Sequence, residues 1–209
     1  MQPLKITAVM ASGQVAAIDD VINFDSLIGY VWMEENYPEH LHNDGLKTGK
    51  VIIPELPLEK RGSGNDWYYA ASIAEYEVLK ETLVYWHKRL DVPLSEQYVD
   101  FRGKSEKIKV NAGRYKNYRI PLVIKLIPEL TWYVVGDKTE IERMVQKIYR
   151  IGKKRSQGFG EIKEWIVEEI NEDYSYRRYI PAPTGNELRG IRPPYHWIGN
   201  QRLCRWGGE

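Results

Sequence analysis

The sequence predicts an α+β fold: a ferredoxin-like (RRM-like) antiparallel sheet with helices on one face, elaborated by a basic flap and a C-terminal tail. Three observations carry that prediction. A strand and then a helix open the chain, a strand–helix–strand pattern follows over 118–169, and from 174 onward the periodicity dissolves. Two such units on one chain match the layer rule that a sheet buries one face against helices. The expected organisation is a domain over 1–173, with a basic insertion around 100–119. An extended tail over 174–209 would pack on the domain or on a partner.

The elements are justified in order. "LKITAVMA" (4–11) alternates as a strand does. In "FDSLIGYVWMEEN" (24–36), Leu27, Ile28, Val31 and Trp32 share a helical face, and Asp25 or Ser26 is a candidate cap. Residues 37–50 are polar with Pro38, Gly45 and Gly49, and read as a loop. "VIIPELPLE" (51–59) is strand-like but holds two prolines, which restricts it to an edge. "KRGSGND" (60–66) is a loop and "WYYAAS" (67–72) a short strand. "EYEVLKETLVYWHKRL" (75–90) has the length and charge of a helix. Its β-branched and aromatic centre favours a strand.

Residues 102–119 hold seven cations against the single acid Glu106, a net of +6, with Gly103, Gly113, Tyr115 and Tyr118 interleaved. They read as a flexible hairpin or loop. "YRIPLVIKLIPELTWYVVGD" is strand material broken at Pro128. Thr139 and Glu142 have capping-box spacing, and Ile141, Met144, Val145, Ile148 and Tyr149 follow at amphipathic spacing. "EIKEWIVEE" (161–169) is a strand.

Composition bounds the function. The 209 residues carry a formal charge of +1, so any nucleic-acid role rests on local patches rather than a global field. Six acids (Glu161, Glu164, Glu168, Glu169, Glu172, Asp173) gather in and after the last strand, which leaves a basic face elsewhere. One cysteine, Cys204, permits no internal disulfide. The N-terminus lacks the features of a secretory signal, and no stretch approaches the ~20 apolar residues of a membrane span. A cytoplasmic protein without membrane contact is expected. Fifteen Tyr and seven Trp against three Phe fit half-buried core edges, or stacking surfaces for bases.

The densest positive charge, Lys153, Lys154 and Arg155, leads through Gln157 into Gly158, Phe159 and Gly160. From Lys147 to Arg155 there are five cations and no acid. Cations at a helix C-terminus answer its dipole, but that does not explain Gly–Phe–Gly. Flexible glycines with exposed amides beside cations suit a phosphate backbone. This is no nucleotide P-loop, which needs Gly–Lys–Ser/Thr at a helix start. The candidate RNA-binding residues are therefore Lys153, Lys154, Arg155, Gln157, Gly158, Phe159 and Gly160. Arg102, Lys104, Arg114, Tyr115 and Lys116 of the flap join them. His40 and His42 are too few for a metal site. His42 or His87 with Lys154 would be the groups to draft for a metal-independent ribonuclease, though no spacing compels it. No catalytic residue, metal or cofactor is expected.

"IGKKRSQGFGEIKEW" (151–165) resembles the glycine-rich loop of the RAMP superfamily of CRISPR-associated proteins. "NDWYYAAS" (65–72), "NAGRYKNYRIPL" (111–122) and "GIRPPYHW" (190–197) resemble one branch of it, the handle-binding RAMP subunit of type IV systems. The resemblance spans about 4–197 and implies a ferredoxin-like fold. It also implies a non-catalytic subunit that binds the 5′ handle of a CRISPR RNA and caps a filament of backbone subunits beside a large subunit. The alternative is an endoribonuclease that processes precursor CRISPR RNA.

Overall fold

Leu4, Ile6 and Ala8 alternate with Lys5, Thr7 and Val9, and the chain there runs as β1 (Gln2–Met10) with the first set fully buried. The computed structural model describes residues 1–16, 21–42, 51–98 and 108–208. After β1 come β2 (Gln14–Ala16), α1 (Phe24–Asn36), α2 (Pro38–His42), β3 (Lys60–Arg61), β4 (Tyr68–Tyr69) and β5 (Lys80–Lys88). Then follow α3 (Val92–Glu96), β6 (Tyr118–Leu126), β7 (Glu129–Gly136), α4 (Lys138–Val145) and β8 (Ile162–Glu169). The last strands are β9 (Tyr179–Pro181), β10 (Glu187–Gly190) and β11 (Gln201–Trp206). The described chain is thus mixed α and β with antiparallel sheets.

β1 is the centre of a sheet ordered β7–β1–β8, with Ile6 opposite both Trp132 and Val167. Because side chains alternate across a strand, Leu4, Ile6, Ala8, Leu130, Trp132 and Val134 share one face. The helices cover that face. Phe24 of α1 lies 5.9 Å from Trp132, and Ile28, Val31, Ile141, Met144 and Val145 complete the cluster. Each such side chain stabilises the fold by about 1.5–3 kcal/mol when fully buried. Along the outer edge of β7, single bridges join Leu58 to Gly136, Ala71 to Val134 and Glu75 to Thr131. A second sheet, β2–β6–β5, carries a long two-stranded ribbon, and a third, β10–β11–β9, is built by the C-terminal residues.

Several elements differ from the sequence reading. α1 starts at Phe24 with Asn23 at its cap, and Asp25 turns inward, fully buried, instead of capping. α4 is capped by Asp137, whose carboxylate accepts from the Glu140 amide at 3.1 Å, two residues before the Thr139–Glu142 pattern. The helix ends at Val145, so Ile148 packs from the following turn while Tyr149 stands 73% exposed. Residues 51–59 form no strand, since Pro54 and Pro57 lack the donors a ladder needs and only Leu58 makes a bridge. Within 37–50, Pro38–His42 is helical and 43–50 lie outside the described residues. The ambiguous 75–90 stretch is strand where its centre is β-branched and aromatic.

The C-terminal residues are folded onto the first sheet and α1. Arg178 is 1% exposed and donates to the carbonyls of Tyr69, Ala71 and Ile191, to Asp25 at 3.3 Å and to the Tyr195 hydroxyl at 2.8 Å. Arg192 donates to the carbonyls of Asn65 and Trp67 and lies over the Trp67 ring. The segments 65–72 and 190–197 are therefore two halves of one contact.

Candidate nucleic-acid interface

The glycine-rich loop leaves the turn after α4 and returns into β8. Its ends are pinned by a bridge between Arg150 and Glu161 and by the Ile151 amide donating to the Gly160 carbonyl at 2.8 Å. A Cβ at Gly160 would lie 1.7 Å from the Ile151 carbonyl oxygen, so the closure requires glycine there. The side of the loop is tied to β2, with Lys153 donating to Ala16 at 2.7 Å and Gly160 to Gln14 at 2.7 Å. Between these ties, Arg155–Gln157 makes one 3-10 turn, flanked by Lys154 and Gly158 in the left-handed region. At Gly158 a Cβ would meet nothing within 4 Å, and φ +90° alone selects glycine.

Of the five cations from Lys147 to Arg155, two are occupied. Lys147 reaches Glu35 at 2.6 Å and Arg150 reaches Glu161 at 3.1 Å. Lys153, Lys154 and Arg155 have no carboxylate partner among the described residues, and Lys153 and Arg155 are exposed. The amides of Ile151, Lys153, Gln157, Gly158 and Gly160 already donate to main-chain carbonyls. An anion nest there is confined to the remaining amides. Gln157 is exposed and Phe159 half-buried.

Lys154 meets the ribbon. Its ammonium lies 4.2 Å from the centre of the Trp86 ring on β5, and the Trp86 indole N–H donates to the Tyr118 hydroxyl at 3.3 Å. Lys88, over the Tyr118 ring, donates to the Arg114 carbonyl at 2.8 Å. A continuous chain of contacts thus runs from the loop through Trp86, Tyr118 and Lys88 to the turn holding Arg114, Tyr115 and Lys116. That turn is a 3-10 element, Gly113–Tyr115, with Arg114, Tyr115 and Lys116 all exposed. Arg102 and Lys104 lie outside the described residues. On the ribbon's other face the Arg119 guanidinium stacks 3.7 Å from the Tyr85 ring, with His87 directly opposite Arg119.

Residues 86 and 87 are consecutive on a strand, so their side chains point to opposite faces. His87 is consequently turned away from the face on which Lys154 sits. The sequence reading passed over Trp86, which stands in the stretch whose period was ambiguous. The β-branched and aromatic content of "TLVYWH" is a signal for a strand there, and the contact of Trp86 with the basic loop is a long-range one that no local pattern carries. It also passed over Tyr30, whose ring lies 5.8 Å from the Arg155 guanidinium. Among the described residues, no group of three or more His, Cys, Asp or Glu is placed to hold a metal. No helix among them is long and apolar enough to cross a membrane.

Fold and site together define an α+β protein of antiparallel sheets with a clamped, basic, glycine-rich loop set against an aromatic ribbon. Residues 2–204 match the family model of the CRISPR type IV associated protein Csf3, and the chain belongs to that family. It is therefore a CRISPR type IV associated protein. Among curated proteins none matches the chain.

Proposed function

We propose that this chain is the non-catalytic RNA-binding subunit of a type IV CRISPR ribonucleoprotein. In that role it holds the 5′ handle of the CRISPR RNA and caps the backbone, next to backbone and large subunits. One observation carries the reading: three cations without carboxylate partners among the described residues sit on a loop whose ends are pinned, while the cations just before them are consumed by ion pairs. Such a loop presents charge in a fixed geometry, which suits phosphates and carries no base choice of its own. The family supplies the CRISPR context, and the resemblance supplies the handle.

The core is read as ferredoxin-like. The order β7–β1–β8 with both long helices on one face supports this, as do the three bridges along β7 where a fourth strand would run. The nuclease alternative gains nothing from His87, which faces away from Lys154.

The test is a labelled CRISPR repeat RNA incubated with the full chain in EDTA, read by native shift and by a denaturing gel. A shift without cleavage is expected. Replacing Lys153, Lys154 and Arg155 together with Ala should weaken binding and lower the slope of log K against log salt by roughly 2, at about 0.7 per phosphate contact on a single strand. An unchanged slope sinks the loop as the phosphate site.

A further inference from the structure

Beside the glycine-rich loop, α1 and the 147–162 segment line an open cleft of about 690 Å³. Leu27, Ile148 and Ile162 give it an apolar floor. Two tyrosines stand at it with their rings in solvent, Tyr30 at 44% exposure and Tyr149 at 73%. Arg155 of the loop lines the cleft as well and reaches over Tyr30.

We infer that this cleft takes one unstacked nucleobase of the bound RNA, stacked on Tyr149 or Tyr30 while its own phosphate lies on the loop cations. The inference rests on the RNA reading of the loop. Exposed aromatic rings above an apolar floor are the ordinary platform for a base, because every base presents a π face. Charge separates the two parts of the nucleotide. The cleft is lined by the carboxylates of Glu34 and Glu161, the latter paired with Arg150, and Lys147 is held by Glu35; carboxylate oxygens accept hydrogen bonds from the amino and ring N–H groups of a base. Arg155, which lines the cleft and has no carboxylate partner among the described residues, provides for the phosphate. The Arg150 side chain bonds both the Arg155 carbonyl at 3.0 Å and Glu161 at 3.1 Å, which holds loop and cleft in one frame. A base that offers an amino group fits this lining best.

The test pairs single abasic substitutions along the repeat RNA with Tyr149→Ala in the full chain. Tyr149 is mostly solvent-exposed, and a melting curve checks that the variant folds. One abasic position is expected to weaken binding to the natural chain by roughly 5- to 150-fold, the range for loss of one stacked base. The same lesion should be nearly silent against Tyr149→Ala, and Tyr149→Phe, which keeps the ring, should recover most of what Ala loses. Tyr30→Ala provides an independent second reading. If RNA binds through the loop cations but no abasic position couples to either tyrosine, the cleft assignment fails and the loop reading stands. Failure of the natural chain to bind RNA at all overturns both.

Discussion

Lys154 holds φ +56° and ψ +34°, the single described non-glycine residue at positive φ. A side chain in that region costs about 1–2 kcal/mol, and what it obtains locally is the contact with Trp86, worth about 0.5–1 kcal/mol at an exposed site. A glycine would relieve the strain, lose that contact and add chain entropy of about 0.5–1 kcal/mol to the unfolded state. These nearly cancel. Lys154→Gly should therefore leave stability within about 1 kcal/mol in a urea titration while RNA affinity falls, since a loop cation has gone. A variant that keeps full affinity would show that Lys154 is a packing residue of the ribbon rather than a phosphate ligand.

At the scale of elements, α1 and α4 are fastened at the surface by Glu35, which accepts from Arg143 at 2.6 and 3.2 Å and from Lys147 at 2.6 Å. The hydrogen bonds from Arg143 and then Lys147 hold its carboxyl down at about 2. A folded-state pKa below the unfolded value of about 4.3 means the stabilisation is complete above that value. It is lost as pH falls toward 2. An acid titration of Glu35→Gln should show less loss of stability than the natural chain over that window, and identical curves would remove the clamp from the account. The elements that were legible in sequence are those with strong local patterns. Ile141, Met144 and Val145 repeat at helical spacing, and Leu4, Ile6 and Ala8 alternate. The cap at Asp137 was hidden because a second capping pattern began two residues later. The strand at 51–59 failed because ladder donors, not hydrophobicity, decide strand formation.

Across the whole molecule, the least legible feature is the one that joins its two ends. Asp25 and Arg178 are 153 positions apart, and no local pattern foretells a contact at that separation. By sequence Asp25 is one of two candidate caps, with Ser26, and Arg178 one of many tail arginines. In the fold both are buried against the half-buried Tyr195, whose hydroxyl donates to Asp25 at 2.6 Å and accepts from Arg178. Burial pushes the Asp25 carboxyl up, and the Arg178 charge and the Tyr195 hydrogen bond pull it back down. Arg178 also donates to the carbonyls of Tyr69 and Ala71, at and beside β4, and of Ile191, so one guanidinium joins α1, the 69–71 segment and the C-terminal residues. Arg178→Met should cost about 3–5 kcal/mol in urea unfolding, because it leaves the Asp25 carboxylate buried without its countercharge, held by the Tyr195 hydroxyl, and takes a donor from three carbonyls. Adding Asp25→Asn removes the stranded charge, so the double variant should lose less than the sum of the two single losses. Lys in place of Arg178 should not rescue, since one ammonium has three donors where the guanidinium serves five acceptors. Strict additivity of Asp25→Asn and Arg178→Met would mean that the pair is not coupled and that the carbonyl contacts alone hold the C-terminal residues in place.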